Sequence, residues 1–291
     1  MFRKYYTAIA YSNSAIAVDR QSETGNNEGD SKFVNIVKAR SMQRWVFLSG
    51  ASSRLGQVIA KHLLESGRFV VLHGYQNFAL LDALCQKYDR AIVIKADFSD
   101  PQSAQHTITD LQQRNITLCA LINNAATFSY DQFDDFTPQS WEYHMRVNAL
   151  TPTLLAREFI TMCAGRSGHI INIVDAKILA PNPDFFSYSI AKSAMAIASE
   201  MIAMLVRNSP ISCNIVAPGP MLNNEHLTTQ QLQRKASLFP TNTPPKPQEI
   251  CAAIDFILSS FQQNGISLPC DSGLHLHQHI RDIAFLPDEH E

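Results

Sequence analysis

The chain has 291 residues, of which 45% are hydrophobic and 17% are charged, and its formal net charge at pH 7 is −2. This length suits one α/β domain with a large core and is too short for two large domains. The small net charge, without a long basic run, argues against nucleic-acid binding, and the short apolar runs argue against a membrane protein.

Residues 1–41 differ in composition from the rest of the chain. The stretch Asp19–Lys32 is polar and contains glycine, with almost nothing to bury, which predicts a disordered extension. Two alternatives stay open: a weak transit peptide, because no acid precedes Asp19, or a reading frame that truly starts at Met42. Residues 42–291 are then the folded domain.

The six cysteines stand singly, without CxxC spacing. We expect them to be small buried side chains of a protein in a reducing compartment. The first residues also lack an apolar signal segment, so we expect a cytoplasmic location.

From Trp45 onward, apolar β-rich runs alternate with amphipathic helical stretches. Strands are predicted at Trp45–Ser49, Phe69–His73, Ala91–Lys95, Leu118–Asn123, Gly168–Val174, Ser212–Ala217 and Gly265–Pro269. Helices are predicted at Gly56–Glu65, Ala79–Lys87, Pro101–Gln113, Ser140–Cys163 and Tyr188–Val206. This alternation implies right-handed crossovers and predicts an α/β fold: a single doubly wound Rossmann domain with a parallel seven-stranded sheet. A cofactor would bind at the carboxyl ends of the strands.

The first predicted strand runs into a loop of small residues, and the first helix follows. Small residues let the backbone approach a pyrophosphate, and the helix N-terminus offers free N–H groups. An ordinary βα turn is the alternative. The candidate cofactor-binding residues of this loop are Gly50, Ser52, Arg54, Leu55 and Gly56.

The second strand ends in His73-Gly74-Tyr75-Gln76-Asn77, without an acid. A site specific for NAD has an acid here, which binds the ribose 2′-hydroxyl. Arg54 and His73 are available for a 2′-phosphate instead, so we expect NADPH as cofactor. The alternative for Arg54 is a solvated surface charge.

Two later motifs carry further polar chemistry. Asn124 and Ala125 follow the buried fourth strand, where they can shape the backbone beside a cofactor. Tyr188 and Lys192 share one face of a predicted helix, where an ammonium would favour the phenolate and make Tyr188 a proton donor and acceptor. The alternative for this pair is an amphipathic helix surface.

The order and spacing of these motifs resemble the short-chain dehydrogenase/reductase superfamily, over roughly residues 44–277. The resemblance implies a proton relay of Tyr188, Lys192 and Asn148, in which Lys192 also holds the nicotinamide ribose. It further implies that Asp97 lies near the adenine. Pro218-Gly219-Pro220 and the closing Asp271-Ser272-Gly273 also match, and Pro218 and Gly219 become cofactor candidates.

Three departures from the superfamily pattern resemble the pteridine reductases and the related dihydromonapterin reductases. Arg54 replaces a loop glycine, Asp175 stands where a serine is usual, and Phe128 follows the asparagine motif. The resemblance implies that Arg54 contacts phosphate and pterin, that Phe128 stacks on the pterin and that Asp175 works with Tyr188. Ala126 departs from the serine that is common there.

These residues also have a physical rationale. A flat pterin under Phe128 would bury both of its faces. A carboxylate at Asp175 would raise the pKa of Tyr188, against Lys192, so that the two acids could share a proton. The alternatives are a loop-capping aspartate and a core aromatic residue.

We therefore expect NADPH-dependent reduction of a dihydropterin, dihydromonapterin or dihydrofolate. A general carbonyl reductase of 3-oxoacyl or sugar ketone substrates, and a non-catalytic NADPH-binding regulator, are the alternatives. The resemblance also implies a homotetramer, with the helices Ser140–Cys163 and Tyr188–Val206 as contacts.

The last part of the chain carries two further features. Residues 219–247 are rich in Pro, Thr and Gln and are predicted to include a substrate lid. His275, His277 and His279 alternate, but no cluster of carboxylates or cysteines supports them, so we expect no metal site. We expect this tail to pack at a subunit contact.

Overall fold

A computed structural model of the chain describes residues 43–260 and 262–287. The predicted disordered extension, residues 1–41, lies outside the described residues. The predicted lid, residues 219–247, lies within them and contains the short helix Thr229–Arg234 and the 3₁₀ turn Ala236–Leu238.

Seven strands form one parallel sheet, which confirms the predicted fold. They are β1 (Arg44–Leu48), β2 (Phe69–Gly74), β3 (Ala91–Lys95), β4 (Thr117–Asn123), β5 (Gly168–Ile173), β6 (Ile211–Pro218) and β7 (Ser267–Cys270). Their order in the sheet is β3-β2-β1-β4-β5-β6-β7. The order reverses between β1 and β4, so the carboxyl ends of these two strands open a crevice.

Helices cover both faces of the sheet. They are α1 (Arg54–Glu65), α2 (Phe78–Lys87), α3 (Gln102–Gln113), α4 (Pro138–Met145), α5 (Thr151–Cys163), α6 (Phe186–Val206), α7 (Thr229–Arg234) and α8 (Pro247–Ser259). Strand β1 is apolar after Arg44, because its side chains point alternately into two helical layers. Phe47 packs in the core layer of α3, α5 and α6, whereas Val46 and Leu48 pack in the layer of α1 and α8.

The prediction of one continuous α-helix over Ser140–Cys163 is wrong, because a π-helical turn interrupts it. Helix α4 ends at Met145, and the π-helical turn Arg146–Leu150 separates it from α5. Pro152 has no N–H to donate to the carbonyl of Asn148, and the N–H of Thr151 donates to the carbonyl of Arg146, five residues back. The wider turn places Asn148 in the buried interior.

Helix α6 has two apolar faces. By length and composition alone it could cross a membrane, but its inner face packs on β6 and includes the buried Tyr188 and Lys192. Its outer face exposes large apolar side chains, among them Met201 at 60% and Met204 at 66%. The predicted subunit contact would cover this outer face.

After β7 the chain forms a segment that we call the C-terminal strap, residues 274–287. It follows a turn at Ser272 and Gly273, both with positive φ. The strap packs on the cleft of its own chain, where Arg281 pairs with Asp184 and Asp282 pairs with Lys177. Its predicted contact with another subunit stays a prediction.

Candidate active site

The loop between β1 and α1 leaves room for a ligand against its backbone. Gly50 has a φ of +64°, and a Cβ at Gly56 would collide with the carbonyl oxygen of Gly50. Ser53 begins α1 and accepts a hydrogen bond from the N–H of Gly56 at 3.1 Å. No acidic residue lies in the first turn of α1, so this helix N-terminus suits a phosphate.

The end of β4 holds this loop in place. The hydroxyl of Ser49 accepts hydrogen bonds from the N–H groups of Asn124 and Ala125, both at 2.9 Å. The amide of Asn124 donates to the carbonyls of Ser49 and Gly50, at 3.0 and 3.1 Å. Asn124 and Ala125 thus act on the loop through hydrogen bonds that fix its shape.

His73 was predicted to bind the 2′-phosphate, but the structure gives its side chain a different role. It is buried at the end of β2, its Nδ1 accepts the N–H of Gly50 at 3.1 Å, and its Nε2 lies 3.1 Å from the carbonyl oxygen of Ala96. The ring stacks on Phe98 with centroids 3.8 Å apart. Burial lowers the pKa of His73 to about 4, so the ring is neutral at pH 7. Both of its nitrogens are used, and His73 joins the loop to β3.

The exposed residues after β2 were missed as phosphate candidates. Tyr75, Gln76 and Asn77 follow Gly74, the last residue of β2, and all three side chains are exposed. Their position and polar character were visible in the sequence, where only the lack of an acid was used. Asp97, the predicted adenine neighbour, is half-buried after β3 and accepts a hydrogen bond from the N–H of Ser99 at 2.9 Å.

The predicted catalytic pair meets a carboxylate. The hydroxyl of Tyr188 donates to Oδ2 of Asp175 at 2.8 Å. Lys192, one turn further along α6, donates to the carbonyl of Ile173 at 2.9 Å, and its Nζ lies 5.8 Å from the centre of the Tyr188 ring. Asp175 also accepts the N–H of Lys177 at 2.8 Å, so it caps its loop as well as facing Tyr188.

Burial of this group favours the uncharged form of each member. Burial raises the pKa of Asp175. Burial, and then the charge and hydrogen bond of Asp175, raise the pKa of Tyr188 well above its ordinary value. Burial lowers the pKa of Lys192 to about 8. The phenolate that Lys192 alone would favour is therefore disfavoured, and Tyr188 and Asp175 are coupled acids that share a hydrogen bond.

The side chain of Asn148 acts on a loop. Its Oδ1 accepts the N–H of Thr127 at 2.9 Å, and its Nδ2 donates to the carbonyl of Thr127 at 3.0 Å. The next residue is Phe128, so the π-helical turn holds the loop that presents this ring. The implied relay role of Asn148 stays a prediction.

Phe128 is a surface of the cleft and is not a core residue. It is 43% exposed. Its ring stacks on Phe185, with centroids 4.3 Å apart, and meets the Tyr188 ring edge-on at 4.8 Å. The ring lines the same cavity as Tyr188 and Asp175.

A cavity of about 320 Å³ joins these parts. Nine of the sequence-predicted residues line it: Arg54, Leu55, Asn124, Phe128, Asp175, Tyr188, Lys192, Pro218 and Gly219. The other predicted residues are absent from its lining: Gly50, Ser52, Gly56, His73, Asp97, Ala125 and Asn148. Several of these shape the loops around it.

Residues from the C-terminal strap complete the wall, and sequence reasoning missed them. Arg281 and Asp282 line the cavity together with Lys177, which is about a hundred positions earlier in the chain. His275, one of the alternating histidines, bonds to Asp271 at 2.8 Å through its ring. Within residues 43–260 and 262–287 no group of histidines, cysteines and acids is arranged to hold a metal ion.

Comparison with known proteins agrees with this architecture. Residues 44–234 match the family model described as short chain dehydrogenase. The chain is 26% identical to a rhamnolipids biosynthesis 3-oxoacyl-acyl-carrier-protein reductase of Pseudomonas aeruginosa, over 80% of this chain and 96% of that protein. It is 23% identical to a dihydromonapterin reductase of Escherichia coli, over 79% of this chain and 96% of that protein.

A solved structure is also similar. FolM alternative dihydrofolate reductase 1 from Brucella canis, complexed with NADP, superimposes with a TM-score of 0.77 at 25% identity. The match covers 84% of this chain and 98% of that one.

Proposed function

Because the chain belongs to the short-chain dehydrogenase family, we propose that it reduces a pterin with NADPH. The pterin would be a dihydropterin, a dihydromonapterin or a dihydrofolate. The family's chemistry is oxidation and reduction, and the proposed substrate is inferred from the residues that line one cleft.

The loop after β1 suits the pyrophosphate of a dinucleotide, and its surroundings suit the 2′-phosphate that distinguishes NADPH from NADH. Gly50 and Gly56 keep side chains away from the backbone, and the N-terminus of α1 is free of acids. Arg54 is exposed beside this loop, and no carboxylate follows His73 to repel the 2′-phosphate. NADPH, when bound, supplies a hydride, and the NADP complex of the similar Brucella protein supports this cofactor.

The observation that carries the proposal is the hydrogen bond from Tyr188 to Asp175 beside the exposed Phe128. A carbonyl substrate needs one proton at oxygen, which a tyrosine alone can give. A pterin takes its proton at a ring nitrogen, and a coupled pair of buried acids keeps that proton available at neutral pH. The exposed part of the Phe128 ring offers a stacking surface for a flat heterocycle.

The surrounding residues hold this group. Lys192 keeps its ammonium against the carbonyl of Ile173, and Asn148 fixes the loop that carries Phe128. The hydroxyl of Tyr188 then has a constant position relative to the aromatic surface. Such fixed geometry is what proton transfer to a bound ring requires.

Carbonyl reduction is the second candidate. It is supported by the similarity to the 3-oxoacyl-acyl-carrier-protein reductase of Pseudomonas aeruginosa. Asp175 argues against it, because a carboxylate hydrogen-bonded to Tyr188 at 2.8 Å competes with a carbonyl oxygen for the phenol proton.

The two functions are separated by an NADPH-oxidation assay. The substrates are dihydrobiopterin, dihydromonapterin, dihydrofolate, a 3-oxoacyl thioester and a sugar ketone, with NADH as comparison cofactor. We expect the highest kcat/KM for a pterin with NADPH. Turnover of ketones without any pterin turnover would favour the second candidate instead.

A further inference from the structure

An ion pair connects the C-terminal strap to the loop after β5. Nζ of Lys177 lies 2.7 Å from Oδ2 of Asp282 and donates to Oδ1 of Asn182 at 2.6 Å. The side chains are only 8% and 21% exposed, respectively, for Lys177 and Asp282. Solvent therefore screens this pair less than an ordinary surface pair, and each charge acts on its neighbours.

The backbone of the same lysine contacts Asp175, the carboxylate of the candidate site. The N–H of Lys177 donates to Oδ1 of Asp175 at 2.8 Å, while Oδ2 of Asp175 accepts the hydroxyl of Tyr188 at 2.8 Å. Asp282, Lys177, Asp175 and Tyr188 all line one cavity. A continuous series of contacts thus runs from the strap to the phenol.

Charged and titratable groups face this phenol and its carboxylate from four elements. Lys177 follows β5, Lys192 comes from α6 and Asp282 from the strap, and the ring of His144 on α4 lies 6.3 Å from the ring of Tyr188. Lys177 and Lys192 favour an ionised Asp175, whereas the charge of Asp282 opposes ionisation of Tyr188. The effects of Lys177 and Asp282 therefore have opposite signs.

We propose that Lys177 and Asp282 form a positioning pair that orients Asp175 and balances the charge around the Asp175–Tyr188 proton donors. The strap is then part of the active site, although neither residue of the pair needs to touch the reacting atoms. The inference rests on the proposed function of Asp175 and Tyr188 as proton donors. It goes beyond that function by assigning roles to two residues outside the family motifs.

The two halves of the pair predict opposite changes in the pH profile. In Asp282→Asn the uncompensated ammonium of Lys177 favours the ionised acids, so the alkaline limb of kcat should move to lower pH, by about one unit. In Lys177→Met the uncompensated carboxylate of Asp282 favours the protonated acids, so the same limb should move to higher pH. The double variant removes both charges and should return close to the wild-type profile.

Lys235→Met is the matched control for loosening of the strap. Lys235 donates to the carbonyl of Ile283 at 2.8 Å, so it anchors the strap through a backbone oxygen. We expect its removal to lower the melting temperature and to leave the alkaline limb in place. A purely structural role of Asp282 would make Lys235→Met and Asp282→Asn behave alike.

The profiles are measured with the best substrate of the wild-type protein, over a series of pH values and with saturating NADPH. Shifts in the same direction for both single variants, or no shift in either, would overturn the positioning pair. Failure of the proposed function is a separate result, since it appears as absent pterin turnover in the wild type. If the wild type reduces ketones alone, the same three variants test the pair on that reaction.

Discussion

At the scale of single residues, Asp175 has two contacts that serve different ends. One carboxylate oxygen caps the turn that begins at Ala176, and the other accepts the phenol hydrogen of Tyr188. The sequence interpretation treated the cap and the catalytic acid as alternatives, yet the structure shows both contacts at once. A carboxylate has two oxygens with several lone pairs, so one residue can serve both.

Replacing Asp175 by serine tests its part in proton donation. Asp175→Ser should reduce pterin turnover by about 10²-fold, the usual contribution of a general acid. Ketone turnover, if present, should persist or increase, because the phenol proton is then free for a carbonyl oxygen. Steady-state kinetics on both substrate classes measures this, with Tyr188→Phe as the control that lowers both activities. Unchanged pterin turnover in Asp175→Ser would contradict the assignment.

Phe128 should act by stacking alone. Phe128→Ala should weaken pterin binding by about 1–3 kcal/mol, the scale of one aromatic–base stack. NADPH binding should hardly change, and titration calorimetry with each ligand measures both effects. Phe133→Ala is a matched control, because Phe133 is 69% exposed and is absent from the cavity lining. An equal loss of pterin affinity in both variants would contradict stacking at Phe128.

Sequence order alone placed Asp175, Tyr188 and Lys192 in one cleft, because each follows a recognisable strand or lies on a helix. It missed Lys177 and Asp282, since a contact between residues so far apart in the chain leaves no local pattern. It also gave His73 the wrong role, because the polarity of a side chain does not show that both ring nitrogens are used by the backbone.

At the scale of elements, Asp184 holds the C-terminal strap against the rest of the domain by hydrogen bonds. This carboxylate is fully buried and accepts hydrogen bonds from Arg281 at 2.8 Å, from the N–H of Asp282 at 2.7 Å and from Tyr130 and Gln132 at 3.0 Å. Burial alone would raise the pKa of Asp184, but the hydrogen bonds, above all that of Arg281, bring it well below its ordinary value. The ionised form therefore stabilises the folded state.

Asp184→Asn should lower the free energy of unfolding by about 2 kcal/mol at neutral pH, the scale of hydrogen bonds to a charged group. A lowered folded-state pKa stabilises fully above the unfolded value of about 3.9, and this stabilisation is lost progressively as pH falls toward the folded-state pKa. The difference between variant and wild type should therefore shrink in acid. Urea unfolding at several pH values measures this, and a difference that stays constant with pH would contradict the role of the charge.

The helices show where periodicity succeeds and where it fails. The pattern predicted α1, α3 and α6 within a few residues, because apolar residues recur in each at helical spacing. It joined α4 and α5 into one helix, since the π-helical turn keeps helical composition. The cause of the break, Pro152, was visible in the sequence, but proline is also common in the first turn of a helix.

At the scale of the whole molecule, seven alternating strands and their helical crossovers were enough to predict the parallel sheet, because few topologies satisfy the handedness rules. The position of the strap could not be predicted in this way. It has no regular element beyond two short 3₁₀ turns, Leu274–Leu276 and Ile283–Phe285, and its course depends on contacts with distant loops.

The outer face of α6 leads to a prediction about assembly. Ile197, Met201 and Leu205 follow each other at helical spacing of four and are each at least 60% exposed. We expect this stripe to be covered in a homotetramer, so Leu205→Glu should convert the protein to a smaller species at micromolar concentration. Light scattering measures the mass, and Lys61→Glu, on the exposed surface of α1, is the control. A wild-type monomer would contradict the prediction.

The fixed ring of His73 determines where the cofactor preference of this protein can be redesigned. An acid at position 73 would remove both hydrogen bonds through which His73 joins the loop between β1 and α1 to the end of β3. An acid at Gly74 would require the buried Leu81 to shift, since a Cβ there would lie 2.8 Å from its side chain. Tyr75 is the first exposed position beyond them, so Tyr75→Asp is the substitution we expect to move selectivity from NADPH toward NADH while keeping the loop intact.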